Sequence, residues 1–359
     1  MIKDSKYKRI KLRMKSKISI KQARLIGFII ILPVAFVLFY EISAYVNKDT
    51  VTAQQFVDLQ QGAQVHAGFR RAHAKGICVS GVFEASGKLS RYSTAGVLRA
   101  GTFPFIGRFS IAGNNPTAPD LNAPVRSLAL SIKDTSMHGS EWRLAMNTPP
   151  VMAVATPAAF YAQLQALAPD PETKQPDPSK IQAFFAKHPE SKAFLEWQES
   201  YTPATSFAGE TYNSINAFYL VDENRIKQAV RWQAVPLINT ITVPDVSDQN
   251  PDALQQQLAQ MLKIAPVKFE LIFTLASPED DAANPTIPWP TSRQTINAGT
   301  VSIEQYSAQT GGGCEHINFD PLVLPNGIKA SADPILRARA SAYAESFRRR
   351  AKEVLLGDK

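Results

Sequence analysis

Apolar positions fall into three regimes along this chain, and each predicts a different kind of element. Residues 25–40 read LIGFIIILPVAFVLFY, without a charge. With ISAYV beyond Glu41 the run reaches the roughly 20 residues that a membrane-spanning helix needs. From 76 to about 160 the apolar runs are short and broken by Gly, Pro and Asn. GICVSGVFE, FIGRFSIAG, PVRSLALSI and WRLAMN read as strands there, as do INAFYLVD, QAVRWQAVP and KFELIFTLA further on. The third regime is helical. IQAFFAKHPESKAFLEWQ reads as two helical stretches either side of Pro189. It follows PDPETKQPDP, where proline removes donors and fixes φ. DPILRARASAYAESFRRRAKEVLL keeps helical spacing, with Asp333 placed as N-cap and Pro334 in the first turn. Residues 47–60 read as a polar linker entering a short helix, and 277–313 as a Pro/Gly-rich irregular stretch. Seven or eight strands followed by a terminal helix predict an antiparallel barrel with added helices, an α+β fold.

The net charge of +8 suggests a polyanionic partner until its position is read. Ten of the 39 Lys and Arg lie in residues 1–24, against one acid, Asp4. The other 335 residues hold 29 cations and 30 acids. The body is therefore balanced, and no nucleic-acid partner is expected, because that footprint is a basic patch on a folded domain. A basic head before an apolar run predicts an uncleaved signal anchor instead. Residues 1–24 are then cytoplasmic, 25–46 cross a bacterial inner membrane, and the body lies in the periplasm. Cys78 and Cys314 stand 236 positions apart. Export permits a disulfide between them, and separate buried thiols are the alternative. His66, His138, His188 and His316 do not form a metal set.

Two stretches carry candidate chemistry. RRAHAKG, at 70–76, places His73 among three cations. Arg339 and Tyr343 are four apart, on one face of the terminal helix. A phenol titrates near 10, and a guanidinium fixed beside it favours the phenolate. A phenolate can ligate ferric haem iron. The neighbours sharpen this. FDPLVLPNGIKASADPILRARASAY, at 319–343, resembles the proximal-ligand segment of haem catalases, where FDP and PxGI also precede a helix with R-x-x-x-Y. R-x-x-HAKG resembles the distal segment of that family. RFS at 108–110 and NTP at 147–149 fall between them in the family's order. The end of the chain, sixteen residues after Tyr343, resembles the smaller catalase-related peroxidases.

The resemblance spans about 65–350. It implies an eight-stranded antiparallel β-barrel of catalase type with added helices, in a domain at 61–359 that binds haem b. The implied activity is that of a peroxidase, using hydrogen peroxide or an organic hydroperoxide and an unidentified organic electron donor. The resemblance further implies Tyr343 as the iron ligand, Arg339 as the group holding it ionised, and His73 as the distal acid–base. Asn147 would orient the peroxide, and Ser110 would hydrogen-bond the histidine. Arg70, Arg108 and Arg350 would meet the haem propionates, and Phe160 would lie against the haem. Ser110 on an alternating strand and Phe160 in a core are equally good accounts of those two. Met146 and Phe347 depart from the family pattern, at the first asparagine of N-N-T-P and at a histidine four after the tyrosine. Two other functions share these residues: a haem- or lipid-binding barrel without turnover, and an enzyme for fatty-acid hydroperoxides.

Overall fold

The computed structural model describes residues 50–357, apart from 136–139, 171, 174, 238–246 and 248. The expected basic head at 1–24 and apolar span at 25–46 lie outside the described residues. Among the described residues no helix is long and apolar enough to cross a membrane.

The strands are β1 (Gly76–Ala85), β2 (Gly101–Ile111), β3 (Arg126–Asp134), β4 (Ser140–Asn147), β5 (Tyr212–Asn213), β6 (Phe218–Val221), β7 (Lys227–Pro236), β8 (Val267–Leu275), β9 (Thr295–Ala308) and β10 (Ile328–Ala330). Eight of them close an antiparallel ring in the order β1-β2-β3-β4-β5-β7-β8-β9, with β9 returning to β1. β6 pairs with one end of β7, and β10 pairs with β6. Strand β8 shows why the ring closes round a core. Val267, Phe269, Leu271, Phe273 and Leu275 are buried, while the residues between them are half-exposed, which is the period of two that puts alternate side chains on one face. Phe109 stacks on Phe207 at 5.0 Å inside the barrel, and Trp142 meets Trp232 edge-on at 5.5 Å. Each buried aromatic of this kind contributes roughly 1.5–3 kcal/mol by leaving water.

Two readings of the sequence need correction. The stretch 277–313 contains β9, a full barrel strand. Its Gly299 has φ 145°, and a Cβ there would lie 2.1 Å from the Glu84 carbonyl of β1. The glycine is required by close packing between strands, at an irregularity in the pairing of β8 with β9. The second concerns where the body begins: the short helix expected at 47–60 is present, but it is part of the body. Residues 53–61 form α1 (Ala53–Gln61), capped by a reciprocal Thr52–Gln55 pair, and its Phe56 and Val57 are buried. This part of the expected linker belongs to the body.

The other helices are α2 (Pro157–Leu167), α3 (Pro178–Lys187), α4 (Lys192–Ser200), α5 (Ala253–Ile264) and α6 (Pro334–Leu356). Helix α6 starts where its sequence dictates. Asp333 accepts from the Ile335 N–H at 2.8 Å, Pro334 follows, and Gly357 ends the helix in the left-handed region. Helix α1 packs on α6, and Arg349 of α6 pairs with Asp58 of α1 at 2.7 Å. Cys78 of β1 and Cys314 form a disulfide, which settles the alternative left open by their spacing.

Candidate functional site

The outer face of β2, β3 and β4 forms one wall of a cleft, and α6 forms the facing wall. Strand register sets the first wall. Ser110 pairs with Ser127, and Ser127 with Asn147, in one row across the three strands. Two residues along, Arg108, Ala129 and Ala145 make a second row on the same face. On α6, Arg339, Tyr343 and Arg350 lie at spacings of four and seven, so they share a helical face. Ala338 and Ala342 lie on that face as well. Phe56 of α1 and Phe160 of α2, 5.2 Å apart, close one side. The cleft holds about 1150 Å³ of empty space, counting its mouth. His73, Asn147, Ser110, Arg70, Arg108, Phe160, Arg339, Arg350 and Tyr343 all line it. Alanines on both walls leave room for a broad, flat ligand.

Charge in the cleft is one-sided. Loss of hydration, then the Arg350 charge, lowers Arg70 to about 9. Arg108 is pushed well down by burial and by Arg70 and Arg350. Burial, then Arg71, lowers Arg350 to about 10, and its buried Nε–H has no hydrogen-bond partner among the described residues. Three cations that repel one another, one with an orphaned donor, suit an anionic ligand with more than one charge.

The backbone holds these arginines in place. Arg70 donates from Nη2 to the carbonyls of Cys314 and Ile317, at 3.0 and 2.9 Å. Arg350 donates to the carbonyl of Glu315 at 2.9 Å. Arg108 donates to the carbonyls of His73 and Ala74, at 2.7 and 3.2 Å, and to the side chain of Gln309. Gly76 makes the last arrangement possible, since a Cβ there would lie 2.7 Å from the Arg108 guanidinium. Arg339 donates to the Ala145 carbonyl at 3.0 Å and to Oδ1 of Asn216. Asn216 in turn donates to Asp333 at 2.6 Å. The remaining cations of RRAHAKG are clamps. Arg71 pairs with Glu353, and Lys75 pairs with Asp120 at 3.0 Å and Asp252 at 2.8 Å.

His73 sits at φ 53°, a left-handed conformation uncommon outside glycine, with its carbonyl held by Arg108. Loss of hydration, followed by the charges of Arg108, Arg339 and Arg70, lowers the imidazole to about 4. The Ile111 carbonyl opposes this by accepting from the ring. The ring is therefore neutral, and a proton acceptor, across ordinary pH.

The catalase family profile matches residues 52–354. The chain belongs to the catalase family. A catalase-related peroxidase of Synechococcus elongatus is 37% identical over 305 residues, covering 84% of this chain and 89% of that one. A second catalase-related peroxidase, from Mycolicibacterium paratuberculosis, is 29% identical and is covered over 95% of its length. Catalase A from Saccharomyces cerevisiae superposes with a TM-score of 0.70 at 18% identity, over 79% of this chain and 62% of that one, and so shares the fold.

Within this catalase-family cleft one detail differs from expectation. Ser110 lines the cleft, but the hydroxyl beside the histidine is that of Ser127. Its Oγ lies 3.2 Å from Nδ1 of His73 and donates to Oδ1 of Asn147. Ser127, Asn216, Gln309 and Phe56 were all missed in the sequence. No motif marks them, and each reaches the cleft through strand register or through a partner distant in the chain.

Proposed function

We propose that this chain is a haem-dependent peroxidase that reduces hydrogen peroxide or an organic hydroperoxide with electrons from an organic donor. The observation that carries the reading is the meeting of Tyr343 and His73 in one cleft with three mutually repelling arginines. Haem b fits those residues: a flat ring suits the alanine-lined walls, and two propionates suit Arg70, Arg108 and the orphaned Nε–H of Arg350. When bound, haem supplies the redox chemistry that passes two electrons from donor to peroxide.

The chain's own residues then divide the work. Tyr343 would hold the iron through its phenolic oxygen, and Arg339, four residues before it, lies on the same face of α6. His73 takes the proton of the incoming peroxide and returns it to the oxygen that leaves as water or alcohol. Asn147, its oxygen held by Ser127, has amide N–H donors to offer the peroxide. Phe56 and Phe160 give the cleft an apolar flank, which suits an organic hydroperoxide as well as hydrogen peroxide. The two related catalase-related peroxidases support the reaction class.

The visible spectrum of the purified full chain tests this. Wild type should hold haem after gel filtration, and Tyr343→Phe should lose most of it. Equal haem retention by Tyr343→Phe contradicts the proposed ligand. For residues 1–46 the same reading proposes a membrane anchor. The full chain should sediment with membranes and need detergent for release, whereas release by a salt wash would contradict an anchor.

A further inference from the structure

From the hydrogen bonds around the distal pair we infer that Ser127 is a positioning residue that orients His73 and Asn147 together. The inference rests on the reading of His73 as the acid–base group. Its basis is a constraint on one hydroxyl. Ser127 Oγ carries a single proton and meets two partners, Oδ1 of Asn147 and Nδ1 of His73. An amide oxygen can only accept, so the hydroxyl proton goes to Asn147. The lone pairs of Oγ are left for His73, and Nδ1 must carry the hydrogen.

Two consequences follow for the cleft. Nδ1 is the protonated nitrogen, so Nε2 keeps the lone pair and is the base. Asn147 is fixed with its oxygen toward the barrel wall, so its N–H₂ is the end offered to a peroxide. One hydroxyl thus sets an acceptor and a donor in complementary senses, as a peroxide requires when it gives a proton at one oxygen and accepts a hydrogen bond. Ser110 cannot replace Ser127 here. It neighbours Ser127 on β2 but is separated from Asn147 by the whole of β3, whereas Ser127 stands directly opposite Asn147.

The test uses the full chain, labelled with ¹⁵N-histidine, with and without haem. His73 is assigned by comparison with His73→Gln. Long-range ¹⁵N–¹H correlation should show the hydrogen of His73 on Nδ1 in wild type. In Ser127→Ala the ring signals should shift or broaden, while Ser110→Ala should leave the tautomer in place. In the haem-loaded chain, Ser127→Ala should react with peroxide roughly tenfold more slowly at normal haem content, as for other partners that orient a histidine. Ser127→Thr, which keeps the hydroxyl, should recover most of that rate. If Ser127→Ala does not fold, Ser127→Cys, close in size but a weak donor, should show the same slowing and ring changes.

A hydrogen on Nε2 in wild type overturns the inference. So do unchanged ring signals in Ser127→Ala, or an equal change in Ser110→Ala. A wild-type chain that holds haem but does not react with peroxide would sink the proposed function alone, because the ring signals still decide what Ser127 does.

Discussion

Arg70 and Arg350 reach the same short loop from opposite ends of the chain. Arg70 donates to the carbonyls of Cys314 and Ile317, and Arg350 to that of Glu315 between them. The loop consumes part of each guanidinium and aims the rest at the cleft. Arg350→Ala should therefore weaken haem retention by about ten- to a hundredfold, the value of one or two charge-assisted hydrogen bonds. Transfer of haem to apomyoglobin measures this. An unchanged transfer rate would show that Arg350 does not meet the ligand.

The disulfide pins that loop to β1. Replacing Cys78 and Cys314 together by serine removes a cross-link between residues 236 apart. The stability lost is about 5.5 kcal/mol in the chain-entropy account. The loop positions Arg70 and Arg350, so haem should also leave faster. Thermal unfolding and haem transfer should therefore change together. A lower melting temperature with normal haem retention would separate the loop from the site.

The depressed basicity of His73 has a sign that can be checked. Its folded value is about 4 against an ordinary 6.5. Between those values the unfolded chain binds a proton that the folded chain refuses. Stability from this group is therefore full above 6.5 and declines as pH falls through that window. For the reaction, the neutral ring persists in acid. The rate with peroxide should hold through pH 6.5 and fall only well below it. Propionates would offset Arg70 and Arg108, but loss of hydration is the largest cause and would remain. A half-maximal rate at pH 6.5 would contradict the shift.

Asp333 has two tasks that one substitution should remove. It caps α6 through the Ile335 N–H and holds Asn216, which accepts from Arg339. Asp333→Ala should cost about 1–3 kcal/mol from the lost cap and the unpaired buried amide. It should also loosen haem, because Arg339 loses an oriented acceptor. Asp333→Asn, which can keep the cap, should restore most of the stability but less of the haem retention, which unfolding and haem transfer can compare.

Much of this fold is legible in residue patterns. Strands β1 to β4, β7 and β8 follow their apolar runs, and α6 follows its Asp-Pro start. Strand β9 is hidden because Gly299 and the prolines before it read as loop, although the glycine serves a tight strand contact. Helix α5 is hidden by its glutamines, since its buried face is Ala253, Leu254, Gln257 and Leu258. Strand β5 has two residues, too few to show a period.

The site divides in the same way. Seven of the nine expected residues lie in four short segments with a family resemblance, Phe160 and Arg350 lie beyond them, and the cleft gathers all nine. Ser127 escapes that reading. On adjacent strands either serine could face the histidine, and only the register places Ser127 between His73 and Asn147. Asn216 escapes because its partners, Asp333 and Arg339, lie more than a hundred positions away in the chain.

The central claim is that His73 works as an acid–base group on peroxide in a haem-bearing cleft. Peroxide-dependent oxidation of an organic dye by the haem-loaded full chain, compared with His73→Ala at equal haem content, tests it most directly. The account predicts turnover in wild type and a loss of roughly a hundredfold or more in the variant. Equal rates in the two proteins would contradict it.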